Sequence, residues 1–270
     1  MSERDLLAQA PQRDWPAFDA LFRQTVHPVH RFLFGLCGER LHAELLTLRT
    51  FEAAWRQGIP HLTHLSSPAW VLRLAWQLVR REAGPQTPSE APEEVEPAVW
   101  RALLGLSRET RAALLLRVGE RLPAGAVAQV TGTDVARVRA AVYHGALAGA
   151  GLPPNGLPAQ QWEAFERLLD GALAEPEGEP PADPLARGVR AVARAYDRLR
   201  ADPAFVLRTK VKLATAAKAE AHGKNGNGRL PRRGNNGRGP AFLEVRNRER
   251  GAPGSRPAGG LPVRRTRTGN

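Results

Sequence analysis

The sequence has almost no cysteine, a single methionine and no long apolar run. Its one cysteine, Cys37, excludes an intramolecular disulfide, which is typical of a reducing compartment. No apolar stretch approaches the roughly 20 residues that a membrane-spanning helix needs. The charged opening MSERDLLAQAPQRD lacks the apolar core of a secretory signal. We therefore expect a soluble, cytoplasmic protein without a membrane span.

Motifs for catalysis, cofactors or metals are also missing. There is no glycine-rich phosphate loop and no nucleophile elbow. His27 and His30 are three residues apart in a helical pattern, as are His61 and His64 in a predicted loop. No cysteine pair or carboxylate pattern completes a zinc site around either pair. The sequence therefore predicts a protein that is not an enzyme and has no bound cofactor or metal.

Positive charge is concentrated at one end of the chain. Residues 206–270 hold 16 of the 39 basic residues and only 3 of the 27 acidic ones, a net charge of +13. Because the whole chain carries +12, residues 1–205 are almost neutral. The basic end is rich in Gly, Asn, Arg and Pro, which predicts a disordered tail after a basic helix at 204–223. Such a tail favours sequence-tolerant contact with nucleic acid; a solubilising extension is the alternative.

Apolar residues recur at spacings of three and four through most of the neutral part, so an all-α fold is predicted. Pro28 lies inside the first of these patterns and predicts a kink or a break. Ser67 followed by Pro68 predicts a helix start with Ser67 as the N-cap. The predicted segments are a helical domain at 15–82, a Pro/Glu linker at 83–98, a second helical domain at 99–150, a helical pair at 158–202 and the basic tail at 203–270.

The stretch VAQVTGTDVARVRAAVYHGAL, residues 127–147, has the pattern of a helix-turn-helix. Ala128 is small where two helices would cross, and Gly132 suits a turn residue with positive φ. Asp134, or Thr133 before it, can accept the free N–H groups at the start of the second helix. Thr131 and Thr133 would each need a hydrogen-bond partner if buried. Periodicity alone leaves open whether this is a DNA-reading motif or one more helical hairpin.

The order of segments, together with three quoted runs, resembles one protein family. The runs GERLHAELLTLRTFEAAWRQG (38–58), PAWVLRLAWQLVRREAG (68–84) and residues 103–147 are similar to the extracytoplasmic-function (ECF) type of bacterial RNA polymerase sigma factors. The resemblance covers roughly residues 15–149. It implies a region 2-like domain that binds core RNA polymerase and melts promoter DNA, and a region 4-like helix-turn-helix domain that reads the promoter.

The resemblance also implies partners and site residues. Core RNA polymerase and promoter DNA are the implied partners, and an anti-sigma factor is a further one. The implied DNA-reading residues are Thr133, Asp134, Arg137, Arg139, Tyr143 and His144. The implied polymerase-binding residues are Glu44, Leu45, Leu48, Arg49 and Glu52. The implied promoter-melting residues are Trp70, Arg73, Trp76, Gln77 and Arg80.

Two departures from the family keep other functions open. Leu45, Leu48 and Arg49 stand where the family has Asp, Gln and Glu, so polar contacts to the polymerase are lost. The second helix of the motif carries alanine at several positions that are polar in the family. The alternatives are a sigma-derived DNA-binding regulator or adaptor that no longer binds core polymerase, and an interaction protein whose tail binds nucleic acid. For the pair at 158–202, a hairpin over the body and a partner-binding module both remain.

Overall fold

A computed structural model describes residues 14–59, 66–82, 90–153, 155–156, 161–174, 178–179 and 181–226. These residues form ten α-helices and one short π-helical segment, which confirms the all-α prediction. The α-helices are α1 (Trp15–Cys37), α2 (Arg40–Gln57), α3 (Ser67–Arg81), α4 (Pro97–Gly105), α5 (Arg108–Leu114), α6 (Ala124–Thr131), α7 (Val135–Gly149), α8 (Trp162–Ala174), α9 (Pro184–Asp197) and α10 (Pro203–Gly226). The π-helical segment, Leu115–Gly119, continues α5.

The helix ends follow local sequence signals. Asp14 caps α1 by accepting a hydrogen bond from the N–H of Ala17 (3.1 Å), and Ser107 caps α5 in the same way. The predicted break at Pro28 is wrong in that α1 runs through it without interruption. Ser67 is the first residue of α3 rather than its N-cap, so the helix begins one residue earlier than predicted. The difference at Ser67 is one residue at a helix end, which is within the usual variation of helix boundaries.

An aromatic cluster joins α1 to α2. The rings of Phe18 and Trp55 lie 5.2 Å apart and those of Phe22 and Phe51 lie 4.8 Å apart, in edge-to-face arrangements. All four side chains are buried. Burial of aromatic surface on this scale stabilises the helix pair, with α3 packed against both helices.

The first three helices and the helix-turn-helix share one core within the compact unit formed by residues 1–227. Arg111 of α5 crosses between them and is 1% exposed. Its guanidinium donates to the carbonyl oxygens of Leu36 (2.6 Å), Leu104 (2.6 Å) and Leu106 (3.0 Å). Arg111 therefore ties the end of α1 to the end of α4. The segment 83–98 predicted as a linker lies partly outside the described residues, and Val95 in its described part is buried.

The helical pair α8 and α9 packs over α7. At the crossing of α9 and α7 the backbones approach so closely that a Cβ built on Gly188 would lie 2.5 Å from the carbonyl oxygen of Ala146. Only glycine fits this position without moving a helix. Tyr196 of α9 is also buried and donates from its hydroxyl to Glu120 (2.6 Å).

The last described helix, α10, lies on α1 and α2. Lys210 pairs with Asp19 (2.8 Å), and the indole N–H of Trp55 donates to Glu220 (3.3 Å). A helix over Pro203–Gly226 stands where the basic helix is predicted at 204–223, and it extends into the first residues predicted as disordered. The rest of the predicted disordered tail, 227–270, lies outside the described residues. Of the helices in the described ranges, none combines the length and the apolar character that a bilayer crossing requires.

Candidate nucleic-acid interface

The turn between α6 and α7 has the geometry that the sequence predicts for a helix-turn-helix. Gly132 adopts φ 73°, in the left-handed region that glycine reaches at least cost. Its N–H donates to the carbonyl oxygen of Ala128 (2.8 Å), which closes α6. The carboxylate of Asp134 accepts from the N–H of Arg137 (2.8 Å) and caps α7. Both the positive φ at Gly132 and the cap at Asp134 are confirmed.

Thr131, at the end of α6, satisfies its polar groups in two directions. Its hydroxyl donates to the carbonyl oxygen of Val127 (2.8 Å). Its own carbonyl accepts a hydrogen bond from the indole N–H of Trp76 on α3 (3.1 Å). The partner that a half-buried threonine needs is therefore supplied by the backbone, and the turn is fixed against α3.

Two exposed side chains of α7 are Arg137 near its start and His144 further along. Among the described residues, the one ion pair of Arg137 is with Asp134, the N-cap of α7, at 3.3 Å. His144 is exposed two turns further on, whereas Thr133 is half-buried at the turn. Residues seven apart on a helix share a face. Arg137 and His144 therefore point to the same side of α7.

Two other predicted DNA-reading residues are engaged inside the protein. Arg139 pairs with Glu166 of α8 (3.2 Å). Tyr143 is 7% exposed, donates from its hydroxyl to Asn155 (2.7 Å) and packs edge-to-face on Phe165. Helix α8 therefore covers this side of α7, and we leave Tyr143 out of the candidate interface.

On α3, the predicted promoter-melting residues divide into two groups. Trp70 and Trp76 are buried, and Trp76 is only 2% exposed. Arg73, Gln77 and Arg80 are exposed. The guanidinium of Arg80 lies 5.9 Å from the Trp76 ring, close enough for a cation–π contact. The polar side chains Arg73, Gln77 and Arg80 are therefore accessible to a ligand, whereas the two tryptophans of α3 are not.

A groove of about 450 Å³ lies beside the contact between α3 and the helix-turn-helix. We call it the α3–α7 groove. Its lining includes the cations Arg80 and Arg137, His144, the hydroxyl-bearing Thr133, and one carboxylate, Glu109. Two guanidinium groups from opposite walls favour an anionic ligand, and hydroxyl and imidazole groups can donate to phosphate oxygens. Arg80 and Arg137 therefore line the same groove, although the family resemblance implies promoter melting for Arg80 and promoter reading for Arg137.

The predicted polymerase-binding residues lie on α2. Leu45 is 43% exposed, Leu48, Glu44 and Glu52 are half-buried, and Arg49 is exposed. Leu41 is 72% exposed and lies one turn before Leu45 on the same face. Leu41 is not among the predicted polymerase-binding residues, although its spacing of four from Leu45 could have indicated that both leucines share a face.

Several charged or titratable side chains of α2 already have partners within the protein. Arg49 forms an ion pair with Glu82 at the end of α3, and His42 lies 3.5 Å from the same carboxylate. Glu52 lies 3.5 Å from the amino group of Lys212 on α10. What α2 offers a partner is therefore mainly the apolar surface of Leu41 and Leu45. Within the described ranges, no three His, Cys, Asp or Glu side chains gather into a group that could hold a metal ion.

Comparison of the chain with protein-family models, with curated proteins and with solved structures gives no match. We therefore infer function from the residues of the helix-turn-helix, the α3–α7 groove and the exposed face of α2.

Proposed function

We propose that the protein is a sigma-type transcription initiation factor that binds promoter DNA through α7 and core RNA polymerase through α2. The observation that carries the proposal is the helix-turn-helix geometry: a left-handed Gly132, a capped α7 and an exposed Arg137 at its start. Helices of this motif place their N-terminal residues against base edges in the major groove. The resemblance of residues 15–149 to the ECF sigma factors supplies the remaining support.

In this proposal Arg137 makes the principal contact to a base edge or a phosphate. A guanidinium can donate two parallel hydrogen bonds to a guanine edge, and His144 on the same face adds a further donor. Arg80, across the α3–α7 groove, holds a neighbouring phosphate. With Arg139 paired to Glu166 and alanine at several other positions of α7, few side chains remain to read bases, and the expected sequence preference is weak.

Polymerase contact in this proposal is apolar. Because Glu82 already pairs with Arg49, the charge of that arginine is offset within the protein, and Leu41 and Leu45 remain for the partner. Complete burial of a leucine contributes about 1.5–3 kcal/mol, and only the exposed 72% of Leu41 and 43% of Leu45 is left to bury. The two side chains therefore contribute at most about 2 and about 1 kcal/mol to association.

We expect Leu45→Glu to abolish capture of core RNA polymerase from a bacterial lysate by the full chain, because a carboxylate would be desolvated in an apolar contact. Leu207→Glu is the matched control, since Leu207 is an exposed leucine on α10. Capture should be immunoblotted for polymerase subunits. If the unsubstituted chain retains no polymerase, the initiation-factor proposal fails.

That failure would leave the sigma-derived DNA-binding regulator, and the internal pairing of Arg49 with Glu82 is the observation in its favour. The regulator and the initiation factor are distinguished by DNA binding measured with and without core polymerase. The regulator binds specific DNA without the polymerase, whereas the initiation factor needs the polymerase to select its promoter.

With core RNA polymerase present, we expect Arg137→Ala to weaken binding to a selected DNA site by roughly 10-fold, the effect of one base or phosphate contact of about 1–3 kcal/mol. Arg101→Ala is the control, because Arg101 is exposed on α4 and its side chain donates to Pro97 of the same helix. Fluorescence anisotropy at several salt concentrations separates this contact from charge in residues 206–270. Equal affinities for the two variants would remove α7 from the interface.

A further inference from the structure

A second cluster of arginines lies apart from the helix-turn-helix, in a cleft of about 840 Å³. We call it the arginine cleft. Its basic lining residues are Arg40, Arg194, Arg198 and Arg200. Arg40 is the first residue of α2, and the other three follow one another through the end of α9, so only the folded chain brings them together. Its floor is the buried Ala201.

Two of these cations have neutral partners. Arg198 donates to the carbonyl oxygen of Glu94, and the guanidinium of Arg40 lies 5.8 Å from the ring of Phe34. The backbone N–H of Arg200 donates to the carbonyl of Arg198 (2.8 Å), which keeps the two residues in one tight turn. Among the residues that the structure describes, Arg40, Arg198 and Arg200 form no ion pair, so no carboxylate of this part of the chain neutralises their charges.

Three carboxylates of the lining offset part of this charge. Asp197 pairs with Arg31 (3.8 Å), which is not part of the cleft lining. Asp202 accepts a hydrogen bond from the N–H of Ala204 (2.8 Å), a neutral donor that leaves its negative charge in the cleft, as Glu94 does. With Asp197 offset by Arg31, the lining holds four arginines against two carboxylates, a net charge of +2. Convergence of like charges without a ligand is unfavourable.

We propose that the arginine cleft binds a phosphate-rich anion. Guanidinium groups match phosphate oxygens with paired hydrogen bonds, and several of them fixed around one cavity can hold adjacent phosphates. The volume suits a ligand of nucleotide size or a few backbone phosphates. The cleft lining contains no aromatic side chain, so recognition is of phosphate rather than of a base. This site is separate from the α3–α7 groove and stands independently of the proposed function.

Thermal unfolding of the full chain detects anion binding at the cleft even though the basic residues 206–270 can also bind the same anions. A ligand raises Tm only if it binds the folded state better than the unfolded state. The cleft is built from segments far apart in the chain and exists only in the folded state, whereas a contact that needs only the charges of residues 206–270 is available to the unfolded chain as well. Three probes are used at equal ionic strength: tripolyphosphate, ATP and a short single-stranded oligonucleotide.

We expect tripolyphosphate to raise Tm by roughly 5–10 °C at a hundredfold excess over Kd. The pair Arg198→Gln and Arg200→Gln should lose the shift, and Arg200→Gln alone should reduce it. The control pair Arg101→Gln and Arg208→Gln, which removes two exposed arginines outside the cleft, should keep it. Variants are first compared without ligand, so that altered stability is not mistaken for lost binding.

The probes also identify the source of the phosphates. A shift with all three, lost in the cleft variant, supports recognition of phosphate itself. A shift with the oligonucleotide alone, lost in the same variant, supports the cleft as a contact for the nucleic-acid backbone. No shift with any probe, or an equal shift in the cleft variant and the native chain, would overturn the proposal.

Discussion

Replacement of Arg111 by alanine is expected to destabilise the protein by about 3–5 kcal/mol, the usual effect of breaking a buried charged network. The guanidinium is 1% exposed and serves the carbonyls of Leu36, Leu104 and Leu106. Burial lowers the pKa of Arg111, but the side chain remains protonated because an arginine starts from such a high value. Its removal leaves one buried and two partly buried carbonyl acceptors without their donor, and a cavity.

Urea unfolding at neutral pH measures this effect. Arg101→Ala should change the free energy of unfolding by no more than about 0.5 kcal/mol, because Arg101 is exposed. Arg111→Lys should recover part of the loss, since a single ammonium cannot span the carbonyls of α1 and α4 together. A loss below about 1 kcal/mol for Arg111→Ala would mean that water replaces the guanidinium and that the two ends are not tied through it.

Acid is expected to destabilise the protein through His30. This side chain is 0% exposed, and neither ring nitrogen has a hydrogen-bond partner among the described residues. Burial, with smaller contributions from Arg40 and His27, lowers its pKa from 6.5 to about 4. The rings of Phe34 and Phe205 also pack beside it. In the fold the imidazole is therefore neutral at pH values where the unfolded chain is protonated.

The sign follows from proton uptake. Between pH 6.5 and 4 the unfolded state binds a proton at His30 that the folded state does not, so stability falls as the pH falls. The loss from this group is about 2 kcal/mol by pH 5 and about 3 kcal/mol by pH 4. Stability from His30 is fully present above pH 6.5.

The variant His30→Leu should remove that part of the acid sensitivity and should also relieve a buried donor without a partner. Urea unfolding of the native, His30→Leu and His144→Gln proteins is compared at pH 7 and pH 5. The carboxylates are the same in all three proteins, so a smaller loss of stability in His30→Leu alone is due to His30. His144→Gln is the control for removal of an exposed histidine. The same pH dependence in all three proteins would show that His30 is hydrated or paired in solution.

Local rules account for what could be predicted about the candidate site. Gly132 needs a positive φ at the turn, and Asp134 can cap the helix that follows it, whichever other elements pack nearby. The exposed Arg137 follows from the same register, because it lies on the opposite side of α7 from the buried Val138 and Val142. The turn, the cap and the exposure of Arg137 depend on residues no more than about four positions away, so they can be predicted from the sequence.

Contacts between distant segments account for the rest. Nothing local to Trp76 indicates that its indole will donate to Thr131, and nothing local to Tyr143 indicates that α8 will cover it. The spacing of each residue within its helix fits an exposed position as well as a buried one. Whether the side chain is buried depends on which helix packs against it.

By itself, the sequence determined an all-α chain, the helix-turn-helix turn and a polycationic end, because helix periodicity, capping and charge are properties of neighbouring residues. The tertiary structure alone decided that α3 docks on the turn, that Arg139 is paired and that Arg40 meets Arg198 across a cleft. Those arrangements depend on the close packing of side chains from segments far apart in the chain, and periodicity carries no information about which faces meet.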